Sequence, residues 1–312
     1  MDALPIELKL TVLGYVNSTT TLFGLKATCK AMNRVLGVTA LEQLARSLAT
    51  VNLRRLTGTF HLKFDTFCLA LRQHCAILSG SAPLQALLGE MYSSSDLDIF
   101  IELDTLLWID NLIIGSLAGD VERIRCIHAL QAIMNTALVA DATASLRADA
   151  SSTESYYAQP RSDIVYVFTF DVTRPSNSPA VEKKAAVEKR IQFIVTAKAP
   201  HVQVSMFDFT FLTNTFDGAQ WNIPHLSEVA LKRGDYSEYA TREFAYLCDK
   251  YSRGINTKRT IDDIEDFADT AAKRYAKYAR RGFVVRGKRP TPPWFEPSPS
   301  GPCDNRFCSV LF

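Results

Sequence analysis

The chain has no Cys-x-x-Cys pair, no long apolar run and almost no net charge, and each lack removes a class of protein. Its seven cysteines are spread singly from Cys29 to Cys308, which argues against a disulfide framework and a structural zinc site and for a reducing compartment. The most apolar stretch, residues 106–119, is interrupted by Asp110 and falls short of the roughly 20 residues a membrane-spanning helix needs. No charged start followed by an apolar stretch marks a secretory signal, and Cys308, fifth from the end, misses a prenylation box by one position. Lys and Arg total 35 against 33 Asp and Glu, a net charge of +2, so bulk charge directs the chain to neither nucleic acid nor membrane. The expected setting is cytoplasmic or nuclear, with no membrane partner. The 312 residues suffice for a sizeable core in one large domain or two smaller ones.

What is present is concentrated between residues 76 and 102. Ala76-Ile77-Leu78 followed by Ser79-Gly80-Ser81 predicts a short buried strand ending in a turn. Leu84, Leu87, Leu88 and Met91 recur at helical spacing, so a helix is expected to start just after Ser81. A Gly-Ser at a helix N-terminus is a ready anion site, because free backbone N–H groups and the positive end of the dipole meet there. Asp96 and Asp98 then flank Leu97 and precede Ile99, Phe100 and Ile101. Strand alternation puts both carboxylates on one face. Side by side they repel, and a hard divalent cation such as magnesium offsets that repulsion while keeping bonds for a triphosphate.

This order of strand, Gly-Ser turn, helix and Asp-x-Asp strand resembles the nucleotidyltransferase fold of the DNA polymerase beta superfamily. The intervening helix is closest to that of bacterial abortive-infection nucleotidyltransferase toxins. Ser93, Ser94 and Ser95 stand where those toxins often carry an Arg before the first Asp. The resemblance implies that Gly80 and Ser81 hold an NTP and that Asp96 and Asp98 bind Mg2+ (or Mn2+). It also implies a third catalytic carboxylate on a later strand beside the Asp-x-Asp edge. Asp208, in Phe207-Asp208-Phe209, is chosen for it, with Asp171 as the alternative. The second half also resembles uncharacterised proteins of fungi and large DNA viruses, through Phe-Asp-Phe, the turn Asn214-Thr215-Phe216-Asp217-Gly218 and a late Lys277-Tyr278-x-x-Arg281-Gly282-Phe283.

The start of the chain carries a different pattern. Leu4-Pro5-x-Glu7, an apolar helix through Leu8 and Val12, Leu22-x-x-Leu25 and Thr28-Cys29-Lys30 read as a small helical hairpin. The same residues resemble an F-box, which implies that Leu4, Pro5, Leu8, Val12 and Leu25 contact the Skp adaptor of a cullin ubiquitin ligase.

Elsewhere the patterning predicts helices over 105–117 and 120–140, the latter with Ile124, Ile127, His128, Leu130, Ile133 and Met134 as its buried stripe and His128 as a core histidine. Residues 141–163 read as a loop. Strands are expected over 164–172, 190–197 and 201–212, the first two as a hairpin whose connection presents Lys183, Lys184, Lys189 and Arg190 to solvent. The clearest helix spans 260–281, capped by Thr260 and rich in Lys and Arg at its end, as the macrodipole favours. Beyond Gly287 the chain is proline-rich and reads as an extended tail.

The expected architecture is α+β: an F-box-like helical cap over 1–50, a nucleotidyltransferase-like mixed sheet flanked by helices over 51–285, and the tail over 286–312. Two functions follow from the resemblances. One is a metal-dependent nucleotidyltransferase that passes a nucleoside monophosphate to a hydroxyl of RNA or protein. The other is an F-box adaptor whose sheet domain recognises a target without catalysis.

Overall fold

In a computed structural model, the residues described are 13, 15–28, 30–93, 95–108, 119–147, 163–173, 189–255, 258–287 and 290–293. From Thr19 onward the described residues form α1 (Thr19–Thr28), α2 (Lys30–Val35) and the 22-residue α3 (Val38–Thr59). Leu13, Val16, Leu22, Met32, Leu36 and Leu41 form a small core among them, and Leu25 packs half-buried against it. The other four F-box-like positions, Leu4, Pro5, Leu8 and Val12, lie outside the described residues.

A helix crosses residue 50, where the two units are expected to meet. α3 runs through it, with Leu41 in the small core and Ala49, Leu53 and Leu56 in the main one. Asn52 fastens the two parts: its amide donates to the carbonyls of Asn17 at 3.0 Å and Ala86 at 2.9 Å. Thr19 Oγ1 adds a bond to the Leu87 carbonyl at 2.9 Å.

After α4 (Phe64–Gln73) the chain enters the sheet as β1 (Ile77–Ser79), then α5 (Ser81–Leu88), β2 (Leu97–Glu102), α6 (Leu103–Trp108), α7 (Gly119–Ala137), β3 (Thr143–Leu146), β4 (Ile164–Thr173) and β5 (Lys189–Thr196). It continues through α8 (Pro200–Ser205), a 3-10 turn (Thr210–Leu212), the hairpin β6 (Thr215–Phe216) and β7 (Trp221–Asn222), α9 (Leu226–Ala230), β8 (Arg233–Asp235), α10 (Glu238–Ser252), α11 (Lys258–Arg280) and β9 (Val284–Arg286). Seven strands make one mixed sheet in the order β3-β4-β5-β2-β1-β6-β7. β2 is antiparallel to β1 and parallel to β5; β4 is antiparallel to β3 and β5. β8 and β9 pair separately, in parallel.

Register and alternation decide the faces. Leu97, Ile99 and Ile101 on β2 share one face with Ile191, Phe193 and Val195 on β5 and with Phe168 and Phe170 on β4. These residues join Phe67 and Leu71 of α4 and Leu130 and Met134 of α7 in the main core. The opposite face alternates Asp98, Phe100 and Glu102 with Gln192, Ile194 and Thr196. There α8 covers only one patch, where Val204 packs on Phe100 and Ile194.

Several local expectations are corrected. The strand expected over 201–212 is α8 and the 3-10 turn, because Pro200 has the φ of a first helical turn. Only Phe209 makes a β-bridge there, to Tyr236. β3 falls inside the expected loop 141–163, as an edge strand with alternating exposure. His128 is exposed; Cys126, Ala129, Leu130 and Met134 form the buried stripe of α7. Thr260 sits two residues inside α11 rather than at its cap, since the helix begins at Lys258. Of the expected helix 105–117, residues 109–117 lie outside the described residues, as do residues 288–289 and 294–312 of the tail.

Candidate active site

β1 ends at Ser79, directly across from Asp98. The next residue, Gly80, has φ 73° and ψ −134°, a conformation that L side chains avoid. A Cβ there would stand 2.8 Å from Asp98 Oδ2. Glycine therefore lets the turn lie against the carboxylate. Gly80→Ala is expected to cost about 1–3 kcal/mol through backbone strain and this contact, read as a lower urea midpoint with an unchanged slope.

Ser81 begins α5, all eight residues of which are buried. The Ser81 hydroxyl pairs with that of Ser95, and Gln85 Nε2 donates to Ser95 Oγ at 3.0 Å. Gln85 Oε1 accepts from the Tyr92 backbone N–H at 2.6 Å. Gln85 thus pins the loop that delivers Asp96, a role that a lone Gln in an apolar helix does not announce in the sequence.

Asp96 lies just ahead of β2, and its Oδ1 accepts from Arg190 Nε at 2.9 Å. Burial raises its pKa, with Arg190 and Lys277 pulling it back. Asp98 is pushed up to about 7, first by burial and then by repulsion from Asp96, against the pull of Lys277, Arg274 and Arg190. Gly80, Ser81, Asp98, Arg274 and Lys277 line one crevice of about 50 Å³, closed by Phe207, Leu212 and Tyr278. That volume holds a few waters or a phosphate-sized group, not a whole nucleotide.

Asp208 reaches this crevice only through a partner. It is 2% exposed and accepts from Arg274 Nη1 at 2.5 Å. It lies on no strand, and its carbonyl accepts from the Ser237 N–H at 2.7 Å. Asp171 is one strand too far: it sits on β4, across from Arg190, and pairs with Arg147 Nε at 3.0 Å. The strand beside the Asp-x-Asp edge is β5, which places Gln192 opposite Asp98. Arg190, expected in a solvated loop, is instead the second residue of β5 and the partner of Asp96.

The crevice thus unites Gly80, Ser81 and Asp98; Asp96 is not among its lining residues but acts on Asp98 through its charge. Among the described residues no three His, Cys, Asp or Glu side chains are grouped to hold a metal ion. The residues that could hold a cation here are the two carboxylates Asp96 and Asp98. Hard oxygen donors of this kind suit Mg2+, which completes an octahedron with waters and phosphate oxygens. Burial and repulsion from Asp96 raise the Asp98 pKa even with Lys277, Arg274 and Arg190 nearby, and a bound cation would stabilise the ionised form, so the donors fit the ion.

Arg274 has a signal in the sequence. Arg274 lies three residues after Ala271 and four before Tyr278, on the buried stripe of α11. A basic residue on an apolar stripe needs a buried partner, and Asp208 is that partner.

Comparisons with models of protein families, with curated proteins and with solved structures find no match for this chain.

Proposed function

We propose that the chain is a metal-dependent nucleotidyltransferase, moving a nucleoside monophosphate from an NTP to a hydroxyl of RNA or protein. One observation carries this reading: a Gly-Ser turn that opens a buried helix stands against the Asp98 carboxylate, with Arg274 and Lys277 across the same crevice. A phosphate held there meets the free N–H groups of Gly80 and Ser81 on one side and two cationic side chains on the other. The crevice takes the phosphate end, and the nucleoside lies outside it.

Asp96 and Asp98 would hold Mg2+ or Mn2+, which when bound neutralises charge developing on the phosphates. The residues supply the positioning. Arg190 orients Asp96, Gln85 fixes the loop before it, and the Asp208–Arg274 pair keeps a guanidinium aimed into the crevice. In transfer, the acceptor oxygen bonds to the α-phosphorus, the bond to pyrophosphate breaks, and the hydroxyl proton passes to solvent. Asp208 acts here as a positioning residue through Arg274, not as the base.

The test is incubation with each α-phosphate-labelled NTP, Mg2+ or Mn2+, total RNA and the protein itself. Wild type is expected to transfer label. The Asp96→Asn/Asp98→Asn variant is expected to lose at least about a thousandfold of the rate. Equal transfer by the variant would sink the assignment.

The second reading, target recognition without catalysis by an F-box adaptor, is favoured by Gln192 and Arg190 on the strand where the resemblance implies the third acid. Under it the wild type transfers nothing and binds a Skp adaptor, and substitution of Pro5 and Leu8 abolishes the pull-down.

A further inference from the structure

A second cavity, about 560 Å³ in volume, shares no lining residue with the crevice at Asp98. It opens between α8, the 3-10 turn, the β6–β7 hairpin and the first turns of α10. Its size is that of a small-molecule site, and its walls are rich in hydroxyl groups.

The hydrogen bonds already made inside the wall define what the wall still presents. Ser205 Oγ donates to the Val202 carbonyl at 2.7 Å, and Thr213 Oγ1 to the Thr210 carbonyl at 2.8 Å. Both hydroxyls therefore offer lone pairs to the cavity. Ser237 Oγ is the reverse case: it accepts the Ala240 N–H at 3.1 Å, so its own proton is available to a ligand. Asn222 and the imidazoles of His201 and His225 contribute both kinds of group.

Charge is balanced within the wall. Arg242 pairs with Glu238 one helical turn away, and His225 faces Glu228 at 3.8 Å. The Arg242–Glu238 pair is largely exposed and its charges cancel, so the wall offers an anion no unmatched buried cation. More of the exposed wall is carbon than polar atoms, so a fitting ligand needs apolar faces beside its hydrogen-bonding groups. A molecule carrying donors and acceptors in alternation satisfies both sets, and Val204 and Pro224 meet its carbon skeleton.

We propose that this cavity binds a neutral polyhydroxylated ligand of the sugar or polyol class. The proposal is independent of nucleotide transfer and stands or falls without it. The cavity is pre-formed, because the Ser237 backbone is tied to the Asp208 carbonyl and Phe209 bridges to Tyr236.

The experiment is saturation-transfer difference NMR on the full chain, with glucose, trehalose and myo-inositol at about 5 mM and glucose 6-phosphate as the anionic comparison. At least one neutral probe is expected to receive saturation. Thr213→Val, which removes a hydroxyl at nearly constant volume, is expected to weaken that probe about fivefold. Ser205→Phe, at an exposed position that leaves the core intact, is expected to abolish binding by filling the mouth. Silence from all three neutral probes, binding of glucose 6-phosphate alone, or binding that survives Ser205→Phe would each overturn the assignment.

Discussion

Asp98→Asn is expected to melt above the wild type at pH 8 in the absence of divalent ions, with the gap closing as the pH falls toward 4. The carboxyl has an ordinary pKa of 3.8 and is held at about 7 in the fold. Between those values the folded chain keeps a proton that the unfolded chain has released. Stability therefore falls as pH rises through this window, and the loss is complete above it. An amide carries no such penalty. At about 1.4 kcal/mol per pKa unit, tempered because Asp98 keeps part of its surface in the open crevice, the variant gains about 2–4 kcal/mol at pH 8. In melting temperature that is several degrees. Thermal scans of both proteins from pH 4 to 8 check it, and a variant no more stable than wild type at pH 8 contradicts the burial and repulsion described. The same substitution removes a cation-binding carboxylate, so the chain is proposed to carry an unstable acid because function needs it.

Arg274→Met is expected to act in the opposite direction and at any neutral pH. Arg274 and Asp208 are both buried and bonded to each other. Removing the guanidinium takes the Arg274 bond from a carboxylate at 2% exposure, a loss of about 3–5 kcal/mol. The double variant Asp208→Leu/Arg274→Met replaces the pair with apolar groups and is expected to recover most of that loss, since a matched buried pair contributes little over a packed hydrophobic one. Urea denaturation of the two single variants and the double one measures the coupling. A single-variant loss below about 1 kcal/mol would show that water reaches the pair.

The segment from β1 to β2 was legible because its signals are local. An apolar triplet, a glycine, a helical stripe and an acid two residues from another acid all lie within thirty residues, and the fold assembles them as the periodicities predict. The hairpin of β4 and β5 followed for the same reason. Arg190 and Gln192 were not legible as neighbours of the Asp pair, because their position depends on the parallel register of two strands some ninety residues apart. No pattern in either strand specifies that register. The segment 201–212 misled through Val202, Val204 and Met206, whose alternation mimics a strand where Pro200 and the packing of Val204 on Phe100 fix a helical turn. Asp208 lay between Phe207 and Phe209 as a strand acid would. Its partner sits 66 residues later, on a helix whose basic end also satisfies the macrodipole.

The complete burial of α5 has a consequence for how the crevice opens. Amides of a helix with no solvent-facing side and with core contacts all round exchange with water only when the molecule unfolds globally. The hydrogen-bonded amides behind the Gly80–Ser81 turn belong to that slowest-exchanging unit, whereas the turn's own N–H groups face the crevice, so this wall stays fixed on the timescale of ligand entry. α11, by contrast, presents a half-exposed Lys277 and an outer face of acidic and basic side chains to solvent. Motion that admits a ligand is therefore borne by α11, and protection from exchange on ligand binding would register there and not in the helix behind the turn.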